Sequence, residues 1–244
     1  MKLGILATGI TPDELLESYG SYAQMFIDLF EQAGEAFDYE IFDVRDDRFP
    51  DAARVCDGWI ITGSKFNVYQ DLPWMQRLKQ LILEIDKAGL PMVGICFGHQ
   101  IIAEAFGGRV DKYPGGWGVG LHRYQLTDAA SSISTGLSSD GAFTISAMHQ
   151  DQVLDKPVQA DVIAESDFCA YAGLLYNNRI LTLQAHPEFN LAYETDLVAL
   201  RKGEPIPTET AEQGLQTLQT GSPQIDSVTV AGWMAEFLKQ RQLV

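Results

Sequence analysis

Apolar runs and amphipathic stretches alternate along the first hundred residues, with only short links between them. Leu3 to Ala7 reads as a buried strand. Tyr22, Met25, Phe26, Leu29, Phe30 and Ala33 then recur at helical spacing within a helix expected from about Tyr19 to Ala33. Tyr39 to Val44 and Trp59 to Thr62 read as strands, and Trp74, Leu78, Leu81, Ile82 and Ile85 share one face of a second helix. Pro91 to Ile95 is the next strand, and Gly34 and Gly89 stop the two helices. Short strands joined by helices must lie parallel, because the crossover returns the chain to the same end of the sheet. The expected fold class is therefore α/β, with a mostly parallel sheet and helices on both faces.

The texture changes after about Arg109. Gly115-Gly-Trp-Gly-Val-Gly predicts tight turns, followed by extended segments at Leu121 to Leu126, Ala142 to Ala147, Asp161 to Ala164, Ala170 to Tyr176 and Ile180 to Gln184. Asn177-Asn178 predicts a hairpin between the last two, since Asn tolerates positive φ. This half should add antiparallel strands to the sheet. Beyond residue 190, Gly203 to Pro207 and Gly221-Ser-Pro read as loops between helices, the last of which packs through Val230, Trp233, Met234, Phe237 and Leu238.

The segment Val93-Gly94-Ile95-Cys96-Phe97-Gly98-His99-Gln100 carries the chemistry. A strand runs into Gly-x-Cys-x-Gly and a helix follows. In the serine form of this elbow the nucleophile sits on a sharp strand-to-helix turn, which crowds the backbone so that flanking residues must lack a Cβ. The turn lifts Cys96 above the carboxyl edge of the sheet, where open α/β folds bind ligands. It also sets the sulfur at a helix N-terminus, whose partial positive charge favours a thiolate. A zinc reading of Cys96-x-x-His99 lacks a second Cys/His pair at ligand spacing, so no metal is expected.

A cysteine nucleophile needs a base, and the base needs a partner that orients it. Four histidines are available. His186 follows the strand Leu181-Thr-Leu-Gln-Ala, and Glu188 stands two residues on. Residues i and i+2 of extended chain point the same way, so the carboxylate can sit beside the imidazole. His149, in Met148-His-Gln-Asp151, is a candidate pocket-wall residue; His99 and His122 read as structural. A developing oxyanion would need two N–H donors. Phe97, following the nucleophile, supplies one, and Gly63, at the end of Ile61-Thr62-Gly63-Ser64, is the candidate for the other.

These segments together resemble the class I (triad) glutamine amidotransferases, from the first strand to about Phe189. Val93 to Gln100 is similar to the family's nucleophile motif, and Gln184-Ala-His186-Pro-Glu188-Phe to its His-Pro-Glu motif. Met148 to Val153 resembles a segment that lines the glutamine pocket. Within the family the likeness is to stand-alone proteins similar to the glutaminase domain of GMP synthase. The resemblance implies a flavodoxin-like catalytic domain at 1–190, with 191–244 a helical extension packed on it. It also implies that Cys96, His186 and Glu188 hydrolyse glutamine through a γ-glutamyl thioester, with Gly63 and Phe97 holding the oxyanion and Gln100 and His149 at the substrate. No cofactor is implied. Many members have Gly-Gly-Pro where this chain has Gly63-Ser64-Lys65, and only about 55 residues follow Phe189. Ammonia used for synthesis would therefore pass to a separate synthetase subunit. A γ-glutamyl peptide or amide hydrolase or transpeptidase using the same triad is the alternative, and a non-catalytic regulatory protein the third.

Composition narrows the partners. A formal net charge of −16 repels phosphate backbones and anionic lipid, so neither nucleic acid nor membrane is expected as a partner. No apolar run approaches the roughly 18 residues of a membrane span. Met1 to Gly9 runs into Thr11-Pro-Asp-Glu as a first strand would, rather than into a cleavage site. Three widely spaced cysteines suit a reducing compartment, and the expected location is cytoplasmic.

Overall fold

In this computed structural model residues 1–133, 141–219 and 224–241 are described; the Gly221-Ser-Pro loop lies outside them. The first half builds β1 (Lys2–Ala7), α1 (Asp13–Tyr19), α2 (Tyr22–Gln32), β2 (Asp38–Asp43), β3 (Gly58–Ile61), α3 (Pro73–Lys87), β4 (Met92–Ile95) and α4 (Phe97–Ala105). The second half builds β5 (Arg109–Lys112), β6 (Gly118–Leu126), β7 (Ala142–His149), β8 (Asp151–Asp155), β9 (Ala160–Glu165), β10 (Gly173–Tyr176) and β11 (Ile180–Leu183). The helices α5 (Leu191–Arg201), α6 (Thr208–Gln219) and α7 (Ser227–Arg241) complete the chain.

Nine strands form one sheet in the order β2-β1-β3-β4-β11-β10-β9-β6-β7. From β2 to β11 all pairings are parallel, and from β11 to β7 all are antiparallel. The remaining two strands, β5 and β8, pair antiparallel as a small separate sheet. The family-type α/β fold expected from the sequence is the one observed, added antiparallel strands included.

Strand alternation divides the core between two faces. Leu3, Ile5, Ile60, Val93 and Ile95 pack on one side with Phe26 and Phe30 of α2 and Trp233, Met234 and Phe237 of α7. On the other side Leu6, Trp59, Ile61 and Met92 pack with Leu78, Ile82 and Ile85 of α3 and Ile101 and Ile102 of α4. Fully burying one such side chain contributes about 1.5–3 kcal/mol. An 11-residue helix like α2 is marginal alone, so this packing is what holds it. A third cluster joins Tyr22, Val119, Phe189, Tyr193 and Leu197, tying α5 and α6 to β6.

Several details differ from the sequence reading. The helix expected from about Tyr19 begins at Tyr22: Gly20 adopts φ 72°, Ser21 caps α2 by accepting the Gln24 N–H, and a separate helix, α1, that the sequence reading did not offer precedes it. The segment from Ala170 is a strand only from Gly173, because mutual Ser166 and Cys169 backbone hydrogen bonds close a turn just before it. The Asn177-Asn178 hairpin is present, with φ of 50° and 54°. Among the described residues no helix is long and apolar enough to cross a membrane.

Candidate active site

The turn between β4 and α4 is strained. Cys96 has φ 53° and ψ −102°, a conformation that costs a non-glycine residue on the order of 1–3 kcal/mol and persists only where surrounding structure enforces it. The enforcement is visible on both sides. A Cβ on Gly98 would stand 2.4 Å from the Ile61 carbonyl oxygen, and one on Gly94 would stand 2.8 Å from the Gly98 carbonyl. The Cys96 N–H donates to the Leu183 carbonyl at 2.8 Å, adding one more bond beyond the end of the β4–β11 ladder. The sulfur is thereby presented at the carboxyl edge of the parallel strands, at the N-terminus of α4.

His186 arrives from β11 next door. Its N–H donates to the Ser146 carbonyl at 2.8 Å, while Ser146 Oγ donates to the Phe189 carbonyl at 3.0 Å, so β7 clamps the segment at two points. His186 Nδ1 and Glu188 Oε1 are 2.7 Å apart, and the carboxylate is wholly buried. The imidazole stands beside Cys96, both side chains meeting the Gly63 backbone, and the two interact electrostatically. Burial acts to lower the pKa of this histidine. The Glu188 carboxylate and Cys96 outweigh it, and hold the ring well above the ordinary histidine range.

Gly63 closes the group. A Cβ there would lie 2.6 Å from His186 Cε1 and 3.6 Å from Cys96 Cβ, so only glycine lets this backbone approach both side chains. Its carbonyl accepts from the hydroxyls of Thr8 and Thr62, both at 3.1 Å. Phe97 is the first residue of α4, where an N–H has no intrahelical acceptor. Cys96, His186, Glu188, Gly63 and Phe97 thus come together from three chain segments.

Gln100 and His149 line the same cleft as Cys96, a cavity of about 430 Å³. Gln100 Nε2 donates to the Asp151 carbonyl at 3.0 Å and to Gln184 Oε1 at 3.2 Å. Burial, with smaller repulsion from His122 and His186, pushes His149 down to about 3, so its ring is neutral. Its Nδ1 lies 3.2 Å from the Asp151 carbonyl. His99 is structural: wholly buried, it pairs Nδ1 with Thr182 Oγ1 at 2.8 Å, and burial lowers it to about 3.

Other residues at this site escaped the sequence reading. Phe189 stacks on His186 with ring centroids 3.9 Å apart and planes within 3°. The aromatic residue three positions after the histidine was the available signal. Lys65, Lys112 and Arg201 line the cavity and make its rim basic in an acidic protein. Arg201 is the last residue of α5, and its guanidinium has no hydrogen-bond or ion-pair partner among the described residues. Nothing local in the sequence marks it, because a helix from a distant segment brings it to the cleft.

A strained cysteine on a strand-to-helix elbow, with a histidine and carboxylate at the neighbouring strand end, places the chain in a class of α/β proteins whose arrangement suits nucleophilic chemistry at an acyl carbon. The particular family follows from sequence comparison. Residues 14–200 match the model of the family "Glutamine amidotransferase class-I", and the chain belongs to that family. It is 34% identical over 178 residues to "Gamma-glutamyl peptidase 5" of Arabidopsis thaliana, covering 71% of this chain and 70% of that protein. It is 32% identical over 142 residues to "GMP synthase [glutamine-hydrolyzing]" of Finegoldia magna, covering 56% of this chain and 25% of that longer protein. A glutamine amidotransferase structure from Thermotoga maritima superposes with a TM-score of 0.73 over 99% of both chains at 18% identity, a likeness of fold.

Proposed function

We propose that the protein cleaves γ-glutamyl amide bonds, with glutamine as the simplest substrate, through a Cys96–His186–Glu188 triad. The observation that carries this reading is the strained Cys96 beside an imidazole whose Nδ1 is held by a buried carboxylate. Cys96 sulfur, as thiolate, attacks the γ-carbonyl carbon while His186 Nε2 holds the thiol proton. The carbonyl oxygen becomes an oxyanion between the N–H groups of Gly63 and Phe97. His186 passes its proton to the departing nitrogen, the C–N bond breaks, and a γ-glutamyl thioester remains. Water, deprotonated by His186, attacks the thioester carbon; the C–S bond breaks, glutamate leaves, and the thiolate and protonated imidazole are restored.

Each neighbour has a task in that sequence. Glu188 accepts the Nδ1–H, fixes the tautomer and stabilises the imidazolium. Phe189 covers one face of the ring and limits its rotation. The unpartnered Arg201 guanidinium offers the glutamyl α-carboxylate a counter-charge, and Gln100 and His149 form the wall against which the glutamyl chain lies. Peptides rather than glutamine are favoured as substrates by the likeness to a protein named γ-glutamyl peptidase. Transfer of ammonia to a separate synthetase subunit is the corresponding role if glutamine is preferred.

Treatment with a glutamine-mimicking electrophile, followed by peptide mass spectrometry, tests the nucleophile. The expected adduct is on Cys96 alone, with loss of γ-glutamyl hydrolysis in step. An adduct on Cys56 or Cys169, or undiminished turnover after Cys96 is modified, would overturn the proposal.

A further inference from the structure

A second cavity, of about 740 Å³, adjoins the Cys96 cleft. The two share Lys112, Trp117, Gln150 and Pro205, so they are compartments of one depression. The volume is that of a site for a small organic molecule. Ammonia, the leaving group of glutamine, would use none of it.

The shared wall has a defined chemistry. Lys112 ends β5, opposite Asp151 in the ladder with β8. That carboxylate feels the Lys112 charge, but its hydrogen bonds go elsewhere: Asn67 Nδ2 donates to Asp151 Oδ2 at 2.5 Å, and the Tyr69 hydroxyl reaches Oδ1 at 3.3 Å. The Lys112 ammonium is left with no hydrogen bond or ion pair among the described residues, at the boundary between the compartments. Beyond it the wall is aromatic. Trp117 and Phe168 line the second cavity, and Phe168 is braced edge-on by Tyr113 and His122 at 5.1 and 5.4 Å between centroids. Glu204 also lines this cavity and disfavours a second acidic group.

We propose that the second cavity is a leaving-group subsite for an amino acid with an apolar side chain, and that Lys112 selects substrates whose leaving amine carries an α-carboxylate. The substrate class is then γ-glutamyl dipeptides. In such a molecule the carboxylate is attached to the carbon that bears the scissile nitrogen. It therefore falls beside the reacting bond, at the junction where Lys112 stands, while the side chain extends onto Trp117 and Phe168. Arg201, lining only the Cys96 compartment, remains for the glutamyl half. The inference deepens the γ-glutamyl hydrolase reading and rests on it for the position of the scissile bond.

The test compares γ-glutamyl-phenylalanine with its C-terminal carboxamide, which keeps the side chain and loses the charge. Hydrolysis by the wild-type enzyme gives the kcat/KM ratio of acid to amide, and calorimetry on Cys96→Ala gives the ratio of affinities without chemistry. The expected acid preference is roughly tenfold or more, as one charge-assisted hydrogen bond supplies. It should fall to near unity in Lys112→Met, mainly through KM, and be largely restored in Lys112→Arg. Because Lys112 is exposed, these variants should fold. An acid preference unchanged by Lys112→Met, or equal affinity of Cys96→Ala for acid and amide, overturns the subsite. If neither compound is hydrolysed but Cys96→Ala shows the Lys112-dependent binding preference, the hydrolase reading fails and the subsite stands.

Discussion

The parallel and antiparallel halves of the main sheet do different work for the same cleft. In the parallel half, β3, β4 and β11 are four-residue strands buried throughout, and their carboxyl ends deliver Gly63, Cys96 and His186 side by side. In the antiparallel half, β6 is buried at Gly118 to Gly120 and at Tyr124 but open or half-buried elsewhere, and its neighbour β7 carries Ser146 and His149. The first half has almost no latitude, because a shifted strand end would separate sulfur from imidazole. The second clamps and walls the site and can change its lining residues without touching the nucleophile. On the proposed mechanism, the reaction falls in one half and the shape of the cleft in the other.

Five substitutions sharpen or break that contrast. Cys96→Ala should abolish γ-glutamyl hydrolysis, by about 10⁴-fold or more, while circular dichroism and melting show a folded protein. Residual turnover near the wild-type rate would remove the parallel half from the chemistry. Glu188→Gln should lower kcat by about 10²–10⁴-fold, since an amide can favour the wrong tautomer of His186 and no longer stabilises its cation. Steady-state kinetics with intact electrophile labelling would distinguish this effect from misfolding.

The third change acts on stability. Gly98→Ala drives a methyl group into the Ile61 carbonyl oxygen and should cost about 2–5 kcal/mol in denaturant unfolding. Gly116→Ala, in the turn before β6, meets open space at φ 89° and should cost only about 1 kcal/mol. Equal costs would mean that the elbow is not the tighter of the two regions. A further effect, read as a pH slope, belongs to Glu194, buried on α5 with Oε1 3.3 Å from the Gly120 N–H of β6. Burial raises its carboxyl from 4.5 to about 8, against weaker opposing effects from His186 and that N–H. Between those pH values the folded protein holds a proton that the unfolded chain has released, so stability falls as pH rises, by at most about 1.4 kcal/mol per unit. Glu194→Gln should flatten that slope in melts between pH 5 and 8; an unaltered slope would refute the assignment.

The same division governs what could be read from the chain alone. The elbow was legible because glycine at 94 and 98 has a single steric reason, and His186 was legible because Glu188 stands two residues on, although the chain turns at Pro187-Glu188 instead of staying extended. Strands β5 and β8 were not. Arg109-Val-Asp-Lys buries only Val110, leaving no apolar period to detect. Helix α1 escaped similarly, with Leu15 its one buried residue. Lys112 and Arg201 look like ordinary surface cations in sequence. They acquire meaning only when β5 and the end of α5 are brought to the same depression, a consequence of tertiary packing.

The bond from the Cys96 N–H to Leu183 ties the nucleophile's own backbone to the strand that ends three residues before His186. Thermal breathing of the sheet must therefore carry both reactive groups along together, as two carriages coupled by one link. Solvent exchange of the Cys96 amide proton should consequently require disruption of the central strands, and be as slow as any in the molecule.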